Sequence, residues 1–204
     1  MNLKRLVSWR RSALALAAAA LITLAAIKEL SDEPEISLVI GERYEDMRQR
    51  SSASIAPAIP GRAWFSVPKS DARLRFNDNK YGFVTPLARF FTVMFEDERI
   101  DGVRMSPQIE PLLLDDTLKV VLDLQDQWRR AGWVPIRTKE FPSFADTPQW
   151  RDRLRETKNV EKAYWRAGDK YQLMLVVSRF RDSKRPTEER YLITLGLHKA
   201  RGVQ

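Results

Sequence analysis

The sequence predicts an α+β fold: an antiparallel sheet with two helices packed on one face, preceded by a single N-terminal transmembrane helix. Three observations carry this expectation. Several runs alternate in period two or are short and apolar, and short polar turns join them, which is the pattern of hairpins. Two other stretches repeat every three to four residues instead. Ahead of both kinds stand the 16 uncharged residues Ser12 to Ile27.

The apolar segment holds eight Ala, four Leu, two Ile, one Ser and one Thr. At helical rise it spans about 24 Å, short of the roughly 30 Å hydrocarbon layer. Arg10, Arg11 and Lys28 extend its reach, because their stems can lie along lipid with the charges at the headgroups, and Trp9 suits the interface. The amino-terminal flank is basic and the other flank is acidic (Glu29, Asp32, Glu33, Glu35), so the amino terminus is expected in the cytoplasm and the rest across the membrane. The best cleavage triplet at the end of the run is Thr23-Leu24-Ala25, a poor one, and a retained anchor therefore fits better than a removed signal. Arg10-Arg11 lacks the surroundings of a twin-arginine signal. The expected organisation is a basic tail over 1–11, a signal-anchor over 12–28, a spacer and Pro/Ser/Ala-rich connection over 29–61, and an exported α+β domain over 62–204.

Within the spacer, Ile36 to Ile40 reads as a strand and Glu42 to Arg50 as a short helix, while Ser51 to Gly61 has no apolar period and reads as an extended link. Arg62 to Val67, Ala72 to Phe76 and Arg89 to Glu96 follow as strands, with a turn at Asp101-Gly102 and a return strand at Val103. Asp115 to Ala131 is a helix, capped by Asp115 or Asp116 and ended by Gly132; Leu114, Leu118, Val121, Gln125 and Trp128 share one face. Thr147 caps a second helix, with Pro148 in its first turn and Trp150 and Leu154 facing inward. Val160 to Ala167, Tyr171 to Phe180 and Tyr191 to Lys199 form a meander. Leu173 to Val177 is apolar throughout, so its strand is expected to be central and covered on both faces.

The net charge of +8 does not point to nucleic acid. Lys4, Arg5, Arg10, Arg11 and Lys28 supply +5 of it, leaving +3 on the rest of the chain, without a basic stripe. With no Cys, disulfides and thiol chemistry are excluded. The single His198 reads as a surface group on an edge strand, and no Gly-rich phosphate loop or metal-ligand set is present, so no cofactor is expected. Glu96, Asp115 and Asp116 are the acids available to a carboxylate-dependent hydrolase. Trp150-Arg151, Trp165-Arg166 and the loop around Lys184-Arg185 are the candidate partner contacts, because exposed Trp and Arg dominate protein hot spots.

In build alone the chain resembles bacterial envelope proteins that bind a partner, immunity proteins against secreted effectors among them. The expectation is thus a non-enzymatic interaction domain, anchored in the inner membrane and facing the periplasm. An exported carboxylate hydrolase and a structural subunit of an envelope complex are the alternatives.

Overall fold

A computed structural model describes residues 33–156 and 160–200 of the chain. The basic tail, the apolar segment Ser12 to Ile27 and its flanks Trp9, Arg10, Arg11 and Lys28 lie outside the described residues. Among those described, no helix is long and apolar enough to cross a membrane.

The described chain is α+β, with three helices and a mostly antiparallel sheet system. In order the elements are β1 (Glu35–Leu38), α1 (Tyr44–Arg50), β2 (Trp64–Ser66), β3 (Arg73–Phe76), β4 (Phe83–Val84), β5 (Phe91–Glu96) and β6 (Arg99–Met105). Then come α2 (Leu114–Arg130), β7 (Val134–Ile136), α3 (Pro148–Arg155), β8 (Val160–Ala167), β9 (Tyr171–Phe180) and β10 (Arg190–Lys199). A seven-stranded antiparallel sheet runs β2-β5-β6-β10-β9-β8-β7, and a three-stranded sheet runs β1-β3-β4 with β1 and β3 parallel.

Alternation along the strands decides what is buried. In β9 the residues Tyr171, Leu173, Leu175 and Val177 are buried, and in β10 so are Tyr191, Ile193, Leu195 and Leu197. These point at α2, whose stripe Leu114, Leu118, Val121, Leu124 and Trp128 is buried against them. Trp128 meets Trp165 of β8 edge-on at 5.6 Å, while Arg153 of α3 pairs with Glu161 of the same strand face at 2.5 Å. Both helices therefore cover one face. The small sheet packs onto that face too, through Phe76 against Tyr171 at 5.0 Å and Phe83 against Trp128 at 5.8 Å.

Long polar side chains fasten the irregular segments to this layer. Buried Gln125 donates from Nε2 to the Phe144 carbonyl at 2.9 Å and accepts from the Phe144 N–H at 3.0 Å. Gln127 does the same to Val84 of β4, and Gln108 links Ile193 N–H with the carbonyls of Tyr191 and Glu110. Each amide side chain replaces a missing strand partner.

Several expectations are corrected. The packed domain does not start near Arg62: Ile36, Leu38, Tyr44, Met47, Ala53 and Ile55 all belong to its core. The serines of the supposed flexible link bind the edge of β1, where Ser51 Oγ accepts from Ser37 N–H at 3.0 Å and Ser52 Oγ from Glu35 N–H at 2.9 Å. The hairpin between β5 and β6 turns at Asp97-Glu98, both with positive φ, and Asp101-Gly102 falls inside β6. Leu113 caps α2 without a side-chain bond, and Asp115 and Asp116 occupy its first turn. Thr147, by contrast, caps α3 by accepting from Trp150 N–H at 3.3 Å.

Two predictions follow from these attachments. Gln125→Met, nearly conserving volume, leaves the Phe144 N–H and carbonyl buried without partners and should cost about 2–4 kcal/mol in urea unfolding; a loss below about 1 kcal/mol would refute the role. At Glu35, burial raises the carboxyl pKa, but hydrogen bonds and charge from Arg75 and Arg73, at 2.7 and 2.9 Å, outweigh it and hold the group below 4.5. A depressed pKa stabilises the fold above the unfolded value, and this is lost as pH falls through the folded value. Glu35→Gln should therefore lower Tm at neutral pH and make little difference well below pH 4.5.

Candidate functional site

Seven strands have two faces, and the helices cover one. On the other, β9 presents Gln172, Met174, Val176 and Ser178, all half-buried, and its neighbour β10 presents Leu192, Thr194, Gly196 and His198. Register aligns these into transverse rows. One runs Thr92, Arg104, Gly196, Met174, Tyr164, Ile136; the next runs Phe65, Met94, Gly102, His198, Gln172, Arg166, Val134. A third contains Thr194, Val176 and Lys162.

Large apolar groups surround these rows. Phe65 is 48% exposed, Phe90 71%, Val134 58% and Val160 54%. Phe65 also stacks on Trp64, with ring centroids 5.3 Å apart, at the free edge of the sheet. Isolated exposed apolar residues are ordinary on soluble proteins; here four lie on one sheet face. At the opposite edge, Arg137 lies over the rings of Phe141 and Tyr164 at 4.6 and 5.4 Å, so the loop after β7 borders the face.

The face is indented toward both ends. Gly102 and Gly196 stand on adjacent strands, and the His198 ring lies against Gly102: a Cβ there would collide with the imidazole and come within 3.0 Å of the Leu197 carbonyl. A cleft of about 380 Å³ opens beside it, lined by Asp101, Tyr164, Gln172, Met174, His198 and Lys199. A second, of about 450 Å³, lies at the other end of the face between Phe90, Phe180, Leu192 and Arg185.

The residues singled out from sequence are scattered by the fold. Trp165 has no exposed surface and Trp150 is 8% exposed, so both indoles lie inside the protein and are out of a partner's reach in this conformation. Arg151 is held by Asp146 and Asp115 at 2.5 and 2.6 Å, beside α2 and α3. Arg166 is half-buried and does belong to the open face. Lys184 and Arg185 lie at the second cleft, where Arg185 bridges Glu110 and Asp182 at 2.5 and 3.0 Å. His198 sits at the end of a strand flanked by β6 and β9, not on an edge. Glu96 is at the β5–β6 hairpin, and neither it nor Asp115 nor Asp116 lines either cleft.

The expectation that β9 is covered on both faces is corrected in the same way: the strand is central, but Met174 and Val176 face outward. Their apolar character at both parities was the available signal. A strand with one solvated face ordinarily alternates with polar residues, and this one does not.

Gly102→Ala should lower stability by about 1 kcal/mol, because the imidazole must move and the Leu197 carbonyl sits too close. His198→Ala in the same chain should recover part of that loss in thermal unfolding, and strict additivity of the two changes would argue against the contact. Comparison with protein-family models, with characterised proteins and with solved structures gives no match.

Proposed function

We propose that this chain is an inner-membrane-anchored, single-pass protein whose exported domain binds a protein partner in the periplasm through the open face of the seven-stranded sheet, in the manner of an immunity protein rather than an enzyme. The observation that carries the reading is the sheet face itself, with Met174, Val176 and Leu192 half-buried at its centre and Phe65, Phe90 and Val160 exposed around them. Burying such residues against a partner is the main driving force of protein association. The basic flank before Ser12 and the acidic flank after Lys28 support the orientation, with residues 1–11 in the cytoplasm and 12–28 in the bilayer.

A carboxylate hydrolase is less well supported. It needs one acid kept protonated near neutral pH. The paired acids that do line a cleft, Glu110 and Asp182, are both held below their ordinary values, Glu110 by the hydrogen bond and charge of Arg185, and Asp182 by the Lys184 N–H and then Arg185 despite partial burial. Shifts in this direction are opposite to what a general acid needs.

The tagged full-length protein, cross-linked and purified from membranes, should bring down a defined partner. The paired change Met174→Asn and Val176→Asn should abolish recovery of that partner while leaving Tm within a few degrees. Retention of the partner by the changed protein would reject the face; release of the protein in soluble form by carbonate washing would reject the anchor.

A further inference from the structure

Resting on that reading, we infer that the surface received by the open face is an acidic one, a protein ridge combining Asp or Glu with apolar side chains, and not a second copy of this chain. The argument is the placement of charge. In the three transverse rows the basic residues are Arg104, Lys162, Arg166 and His198, and no residue named in them is Asp or Glu. The acids of this face sit at its two ends, outside these rows: Asp101 lines the cleft beside His198 and Lys199, and Glu110 and Asp182 line the second cleft, where Arg185 holds both.

The covered side of the molecule differs. There arginines are neutralised in place: Arg153 by Glu161 at 2.5 Å, Arg151 by Asp146 at 2.5 Å, Arg73 by Glu35 at 2.9 Å. Glu161 alternates with Lys162 along β8, so its carboxylate is spent on the helix side of the sheet and does nothing for the open face. Arg104 and Lys162 are engaged in no ion pair among the described residues.

These cations flank the apolar centre. Arg104 shares a row with Met174, and Lys162 is the cross-strand partner of Val176. A partner covering Met174 and Val176 must therefore meet both charges. If it offers no carboxylate, two cations lose water without compensation, which is costly; if it does, the same charges speed association and fix orientation. A second copy laid face to face over Met174 and Val176 would bring Arg104 and Lys162 toward the same two cations of the other copy, and like charges across an interface disfavour it.

The full-length protein in detergent, panned against a random peptide library displayed on phage, tests this. The inference expects selected peptides rich in Asp or Glu together with apolar residues, weakened at least about tenfold by Arg104→Glu with Lys162→Glu and by 0.5 M NaCl. The same peptides should also be lost on Met174→Asn with Val176→Asn. Peptides that depend on Met174 and Val176 but are neutral or basic, and ignore charge reversal, would overturn the acidic partner and leave the docking face standing. Peptides indifferent to both pairs of changes, or no selected peptide at all, would overturn both. Concentration-dependent dimers in sedimentation that vanish on Met174→Asn with Val176→Asn would assign the face to a second copy and overturn the inference as well.

Discussion

A sheet of seven strands that the described helices cover on one side only is the constraint from which the rest of this structure follows. The helices α2 and α3 and the small sheet all compete for the same face, where Trp128, Trp165, Phe83, Phe76 and Tyr171 interlock with centroid spacings of 5.0 to 5.8 Å between neighbours. Edge-to-face contacts of this kind add about 0.5–1.5 kcal/mol each beyond the area they bury. Once that layer is filled, no described element remains to cover the other face. Its half-buried apolar rows are what a one-sided cover leaves behind.

The same layer explains the polar side chains that look misplaced in sequence. Gln125 falls on the apolar stripe of α2, where an amide without partners would cost more than any packing gain. It is stable there because its two functional ends match the N–H and carbonyl of Phe144. Asp78 plays a related part: Oδ1 accepts from the N–H groups of Lys80 and Tyr81, and Oδ2 accepts from the Tyr171 hydroxyl at 3.1 Å. Burial, followed by this bond to a carboxylate, pushes the Tyr171 hydroxyl up to about 12, so it remains a donor at any physiological pH. The turn before β4 is thereby pinned to the central sheet.

Legibility in the sequence tracked the range of the interactions. α2, α3 and the terminal meander could be read locally, since their apolar spacing, the Thr147 cap and the Gly132 stop all act within a few residues. The segment from Pro34 to Gly61 could not, because Ser51 and Ser52 look like linker composition until they meet the backbone of β1, 14 and 17 residues away. The open face is not legible locally for a similar reason. Trp150 and Trp165 drew attention as residue types, whereas the open face is assembled from ordinary positions on β5, β6, β8, β9 and β10 that only register brings into rows. Apolar residues at both parities in β9 are the one local clue, and burial on both faces explains them equally well until the fold is seen.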